Sequence, residues 1–188
     1  MNPANPPASH SYLLGAATIL ATLAASILPA ISATSARDAA TLAKSTYIYI
    51  ATVRKDGNQS KAVPVWFITT SDNQVLIETG PGSWKARRIK RGSPAIVWIG
   101  SRTGPAMIGK AEIIQDKTLQ ARVIDQYPKK YLLARIGFAR PSRAKLDSGQ
   151  IVVIRISPVR DLPDGFASAP GTPAPTLEAK PKPEGKSK

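Results

Sequence analysis

The sequence predicts a small, mainly β barrel with a few short helices, an α+β architecture, and three observations carry that prediction. Six apolar runs rich in β-branched and aromatic residues fall within about 120 residues. Turn-forming residues separate several of them: Asp56-Gly57-Asn58, Ser71-Asp72-Asn73 and Arg102-Thr103-Gly104. Helical stretches are few and no internal repeat is visible, so a closed barrel is expected before an open sheet.

The elements follow in chain order. Residues 1–11 form a Pro/Asn-rich leader expected to be disordered. Residues 12–33, "YLLGAATILATLAASILPAISA", hold no charged residue over about the length that spans a bilayer. No Lys or Arg precedes them, whereas Arg37, Lys44 and a basic domain follow. The positive-inside rule then favours a membrane anchor with the domain facing the cytoplasm. A signal peptide cleaved after "ATSA" at Ala36, leading to export, is the rival reading, and a mis-called start codon is a third.

A short helix is expected over 35–45, with Leu42 among small residues. Tyr47 to Val53 reads as the first strand, Ala62 to Thr70 as the second and Gln74 to Thr79 as the third. Pro64 cannot donate to a ladder, so it marks an edge, a bulge, or a place where something other than a strand lies alongside. "SPAIVWIGS" and "GPAMIGKAEIIQ" read as the next strand pair. A helical region over 116–139, interrupted near Pro128, leads to a closing strand, "QIVVIRISPV", at 150–159. The barrel domain is thus 36–162, and 163–188 is expected to be a disordered Pro/Lys-rich tail.

Composition narrows the chemistry. The chain has 26 Lys and Arg against 12 Asp and Glu, a formal charge of +14, which suits an anionic partner: nucleic acid, an acidic membrane or a phosphorylated ligand. With no cysteine there is no disulfide, thiol nucleophile or Cys-ligated metal. The only histidine, His10, lies in the leader, which argues against a Ser-His-Asp triad, a His-ligated haem or a His metal cluster in the domain. No carboxylates pair at a catalytic spacing; Asp56 and Asp72 are turn residues, and Glu78 and Glu112 sit in strands. An enzymatic activity would therefore rest on a bound cofactor. A nucleic-acid reading rests on charge alone, because no aromatic–basic stacking motif is present.

The densest charge lies in "LIETGPGSWKARRIKRG", residues 76–92. A strand ends at Thr79, Gly80-Pro81-Gly82 turns the chain, and Ser83 caps a short helix from Trp84 to about Arg91. Lys85 and Arg88 share one face, beside N–H groups that attract anions. Ile89 anchors that side, while Arg87, Lys90 and Arg91 point to solvent; the alternative is a basic surface helix with no ligand. Core or rim packing is expected for Trp66, Trp84 and Trp98, with stacking on a planar ligand the alternative, for Trp66 and Trp84 more than for Trp98. Residues 127–145 are expected to pack Leu132, Leu133, Ile136 and Phe138 on the barrel, with contact to an anionic membrane surface the alternative.

In this order the motifs resemble the split-β-barrel superfamily of pyridoxamine 5′-phosphate oxidase. They are most similar to its branch of FMN- and deazaflavin (coenzyme F420)-binding proteins. "IATVRKDGNQSKAVPVWF" is similar to that family's first hairpin, "IETGPGSWKARRIKRGSPAIV" to its cofactor-phosphate segment and "SRTGPAMIGKAEII" to its next hairpin. "ISPVRDLPDG" resembles the closing strand, so the likeness spans roughly 38–165. The resemblance implies a six-stranded split barrel, FMN-binding-like and usually homodimeric, with each cofactor between protomers. It implies that Pro64, Val65 and Trp66 line the isoalloxazine ring and that Thr79, Ser83, Lys85 and Arg88 hold the phosphate. Trp84 stands where many relatives carry a small or polar residue, and would stack on the cofactor or narrow access to it. The implied activity is an FMN- or F420-dependent oxidoreductase passing hydride to a small conjugated or heteroaromatic substrate. The alternative is a non-catalytic carrier for flavin, F420 or haem.

Overall fold

Helix α1, Ala36–Lys44, places Leu42 in the core and ends where the Ser45 hydroxyl donates to the Thr41 carbonyl at 2.9 Å. The computed structural model describes residues 36–178 of the chain. The expected leader at 1–11, the anchor, signal or start readings of 12–33, and the last ten residues of the tail lie outside the described residues. Among the described residues, no helix is long and apolar enough to cross a membrane.

Strands β1 (Ile48–Thr52), β2 (Val63–Val65), β3 (Ile68–Thr69), β4 (Val75–Thr79), β5 (Ala95–Ile99), β6 (Ala106–Ile114) and β7 (Val152–Asp161) pair in the order β2-β1-β5-β6-β7-β4-β3. Every pairing is antiparallel. The two edge strands, β2 and β3, are separated in sequence by Trp66 and Phe67 alone. A sheet whose edges are joined by so short a link has to curl, and the result is a split barrel.

The expected second strand, 62–70, is therefore cut in two, and six runs become seven strands. The cause is visible at the cut. Phe67 N–H donates to the Tyr131 hydroxyl, which donates back to the Phe67 carbonyl, both at 2.7 Å. With both main-chain groups taken by a side chain, Phe67 cannot join a ladder. Pro64 sits in β2 at the sheet edge, opposite Tyr49, where a missing N–H is tolerated.

Alternation along the strands sorts the core. Ile48, Ile50, Ala95, Val97 and Ile99 point into the barrel with Phe67, Ile77, Ala86 and Ile89. Their neighbours Ala51, Ile96 and Trp98 point outward, yet they are also buried. Burial on both faces explains why β5 is continuously apolar. Gly109 meets β7 where the ladder shifts register, and a Cβ there would lie 2.7 Å from the Ser157 carbonyl oxygen.

What covers the outer face is the segment after β7. Residues 163–178, expected as part of a solvated tail, lie against the barrel instead. Leu162, Phe166, Ala174 and Leu177 pack on that outer cluster. Phe166 stacks on Trp98, whose indole N–H donates to the Phe166 carbonyl at 2.7 Å. Further on, Gln59 N–H donates to the Thr172 carbonyl at 2.8 Å, and Ala174 N–H to the Gly57 carbonyl at 3.0 Å. The Pro/Ala composition hid this because a strap of this kind has no periodic pattern of its own.

Helices α3 (Lys117–Lys130), α4 (Leu132–Arg135) and α5 (Arg143–Asp147) cover β3 and β4. Asp116 caps α3 by accepting from Thr118 and Leu119 N–H. The helix runs through Pro128 and breaks at Tyr131, not near Pro128 as expected. Leu132, Leu133, Ile136 and Phe138 do not pack on the barrel; they are 47% to 71% exposed. The buried face is Val123, Tyr127, Tyr131 and Ala134, at spacings of four, four and three, so the apolar quartet is turned outward.

Candidate cofactor site

Two hollows flank β2. The first, about 450 Å³, is lined by Thr52, Arg54, Ser60, Lys61, Lys85 and Arg88, with Ile50, Val63 and Trp84 at its apolar margins. The hairpin after β1 and helix α2, Trp84–Lys90, supply these groups. Ile89 and Ala86 seat α2 in the barrel interior, which leaves Lys85 and Arg88 on the open side as the sequence spacing requires. At the floor, Thr52 and Ser60 are buried and bonded to each other. Thr52 N–H donates to the Ser60 hydroxyl at 2.9 Å, and Arg88 donates to the Thr52 hydroxyl at 3.3 Å.

The electrostatics are one-sided. Burial pulls the Arg88 guanidinium below its ordinary value; repulsion from Arg54 and Arg91 adds to that, and Asp56 opposes it. Burial likewise lowers Lys85, with Glu78 pulling back. Asp56 is engaged with Arg54 at 3.3 Å. Four cations and two buried hydroxyls around one hollow fit a phosphate, which carries about −2 and accepts from every side.

The second hollow, about 350 Å³, is mostly apolar and is lined by Pro64, Val65, Trp66, Tyr47, Tyr127 and Phe138, with Glu78 and Ala139. Its wall is braced from behind. Trp66 stacks on Tyr131 at 4.6 Å and 8°, and the Tyr127 hydroxyl donates to the Trp66 carbonyl at 3.0 Å. Glu78 N–H donates to the same hydroxyl at 3.1 Å. Burial raises the Glu78 carboxyl above the ordinary range, against the pull of Lys145 and Lys85. A flat apolar wall with one carboxyl beside it suits a ring system.

The expected site residues therefore divide. Pro64, Val65 and Trp66 line the apolar hollow together; Trp84, Lys85 and Arg88 line the cationic one. Thr79 and Ser83 line neither. The Thr79 hydroxyl donates to Ser83, whose hydroxyl accepts from Ala86 N–H and so caps α2. Arg87 and Lys90 lie on the far side of α2, as expected, but Arg91 borders a third hollow beside Arg88. Trp98 is core. Sequence reasoning missed Thr52, Arg54, Ser60 and Lys61, although "TVRKDGNQSK" sets two of them on each arm of the turn. It also treated Glu78 as a plain strand residue.

Comparison with known proteins decides the family. A family model described as pyridoxamine 5′-phosphate oxidase matches residues 35–162. The chain belongs to the pyridoxamine 5′-phosphate oxidase family. No match is found among curated proteins. A solved candidate pyridoxamine 5′-phosphate oxidase of Listeria innocua is 18% identical, with a TM-score of 0.51, covering 67% of this chain and 94% of its own. A candidate 5-nitroimidazole antibiotic resistance protein of Bacteroides thetaiotaomicron is 14% identical, with a TM-score of 0.52 and coverages of 68% and 81%. An FAD and heme binding protein of Mycobacterium smegmatis is 19% identical, with a TM-score of 0.51 and coverages of 73% and 75%. At these identities the neighbours share the fold of this pyridoxamine 5′-phosphate oxidase family member, and the split barrel is the one the sequence resemblance implied.

Proposed function

We propose that the protein is a flavin- or deazaflavin-dependent oxidoreductase, taking FMN or F420 and acting on a small conjugated or heteroaromatic substrate. The observation that carries this reading is a cationic, hydroxyl-floored hollow and an apolar one lined by neighbouring residues of β2. Lys85, Arg88, Arg54 and Lys61 would hold the phosphate, with Thr52 and Ser60 beneath it. Pro64, Val65 and Trp66 would bear the ring. Thr79 and Ser83 contribute by fixing the start of α2. When bound, the cofactor supplies two-electron hydride chemistry. The chain's own residues orient it and exclude water, and Glu78, held partly out of solvent, can carry a proton at the apolar wall.

A homodimer belongs to the same proposal. Tyr47, Val63, Trp84 and Phe138 are 37% to 67% exposed around the two hollows, a rim that a second protomer would cover. A carrier is the second reading, favoured by the scarcity of proton-handling groups: Glu78 and the Tyr47 and Tyr127 phenols are those at the apolar hollow. As a haem carrier the barrel would offer neither histidine nor cysteine to the iron.

The test is the absorbance spectrum of the purified protein, then titration with FMN and F420 and steady-state turnover of the reduced cofactor. Binding with turnover supports the enzyme, and binding without turnover leaves the carrier. Failure of both cofactors to bind at micromolar concentration overturns the reading. Sedimentation of the bound form as a monomer would remove the shared site.

A further inference from the structure

The apolar side chains that α4 turns outward are held there from behind. Tyr131, bonded through its hydroxyl to both main-chain groups of Phe67, fixes the start of the turn, and Ala134 and Pro141 are buried along it. Ile136 N–H donates to the Leu132 carbonyl at 3.1 Å, and Phe138 N–H to that of Leu133 at 2.9 Å. At helical spacing Leu132, Leu133 and Ile136 cover about 100° of arc, with buried Ala134 on the other side. Phe138, next along, lines the apolar hollow and belongs to its rim. Adjacent large aliphatic side chains held into solvent mark an interaction surface.

Around this patch the charge has one sign. Residues 127–145 contain Lys129, Lys130, Arg135, Arg140, Arg143 and Lys145 and no acid. Three of these are spent inward: Arg143 donates to the Gln120 side-chain oxygen at 3.0 Å, Lys145 to the Arg140 carbonyl at 2.8 Å, and Lys130 lies over the Phe67 ring. The side chains of Lys129, Arg135 and Arg140 stay exposed and unpaired among the described residues. They line a fourth hollow, about 560 Å³, in which Asp125 is the one acid. Arg135 stands between Ala134 and Ile136, so the hollow and the patch share one turn of helix.

Two copies meeting symmetrically through this surface would set its cations against one another. A nucleic acid would leave the aliphatic side chains without a partner. We propose that α4 docks the protein on an anionic lipid bilayer. Leu132, Leu133 and Ile136 enter the acyl boundary, and Lys129, Arg135 and Arg140 meet the headgroup phosphates. Docking of this kind requires neither a bound cofactor nor an anchor at 12–33.

The chain has no cysteine, so one introduced thiol takes one label. An environment-sensitive fluorophore is placed on full-length Ile136→Cys and, as a control, on Thr103→Cys in the exposed β5–β6 turn. Each is titrated with vesicles of phosphatidylcholine alone and of phosphatidylcholine mixed with phosphatidylglycerol. The label at 136 should shift to the blue and bind the mixed vesicles about tenfold tighter or more; the label at 103 should not shift. Adding Lys129→Ala/Arg140→Ala should weaken that binding about tenfold or more, and Leu132→Ser/Leu133→Ser should remove the shift. All four side chains are exposed, and circular dichroism checks that the fold is kept. No shift at 136, an equal response to both lipids, or binding unchanged without the two cations overturns the docking surface. Equal shifts at 136 and 103 overturn it as well, since the leader alone would then hold the chain at the bilayer. A shift that grows with protein concentration before vesicles are added assigns the patch to a second copy instead.

Discussion

The hairpin from β1 to β2 has two sides built on opposite principles. Its inner side gathers Arg54, Lys61, Lys85 and Arg88 around two buried hydroxyls, with Asp56 as the nearby countercharge. Its outer side is neutral, with Ala51, Ala62 and Trp98 under Phe166, Ala174 and Leu177. Like charges facing one another work to open a hairpin, against the Thr52–Ser60 bond across it and any further resistance from behind. Here the resistance comes from the strap, whose main chain bonds to Gln59 and Gly57 at the hairpin's tip. The difference teaches that the charged hollow and the Pro-rich strap are one device, although the sequence places them more than a hundred residues apart.

Cutting the chain after Leu162 should break this arrangement and give the largest effect. The half-buried Phe166, Ala174 and Leu177 would be lost and Trp98 exposed. At about 25 cal/mol per Å² of apolar surface, the cost should be about 3–5 kcal/mol. Urea unfolding reads that loss, and FMN affinity should fall at least tenfold, because the Arg54 and Lys61 hairpin loses its support. An unchanged midpoint with unchanged FMN affinity would mean that the strap is only an ornament of the outer face.

A contrast along α2 sharpens the comparison from the charged side. In the proposed site Lys85 makes one direct, half-buried contact to the phosphate, so Lys85→Ala should weaken FMN binding by about 1.5–3 kcal/mol. Lys90→Ala removes the same charge from the far side of the helix and should change binding by well under about 1 kcal/mol. Fluorescence titrations of both variants decide it. Equal losses would mean that the inner side acts as a diffuse field without a defined hollow.

How much of this was legible in the sequence follows from where each signal lies. Strands β1, β4, β5, β6 and β7 announced themselves because each packs a periodic or continuous apolar run locally. The split of the second strand did not, because its cause, the Tyr131 hydroxyl, arrives from 64 residues away. Lys85 and Arg88 were readable since helical spacing alone puts them on one face. Thr52 and Ser60 were not, since a hydroxyl in a strand looks the same whether it meets solvent or a guanidinium. The exposed quartet at 132–138 misled for a related reason: apolar content was visible, but tyrosines had already taken the inward positions.

Lys130 offers the subtlest test, because it shows what a cation costs where solvent is withdrawn. Its ammonium lies 3.5 Å from the centre of the Phe67 ring and 5.7 Å from that of Tyr131, and burial pulls it down to about 8. The ring contacts favour the charged form and oppose that pull. Folded Lys130 thus holds its proton less tightly than the unfolded chain, whose lysines titrate near about 10.4. Below pH 8 both states are charged and the folded state bears the whole burial cost. From there to about pH 10.4 the unfolded chain binds more protons, so stability rises with pH, and above it the cost is gone. In the folded state burial raises both Tyr127 and Tyr131, Tyr131 to about 12, and because both tyrosines are present in the two proteins compared below, they cancel from the difference. Lys130→Met should therefore be more stable than the natural protein at pH 7. The gap, about 1–2 kcal/mol once the solvent around a half-buried ammonium is allowed for, should close by pH 10. Urea unfolding of both proteins at pH 7, 8.5 and 10 measures it. A gap that stays constant would show that the Phe67 ring offsets the burial, and that charge is tolerated as well beside the core as in the open cationic hollow.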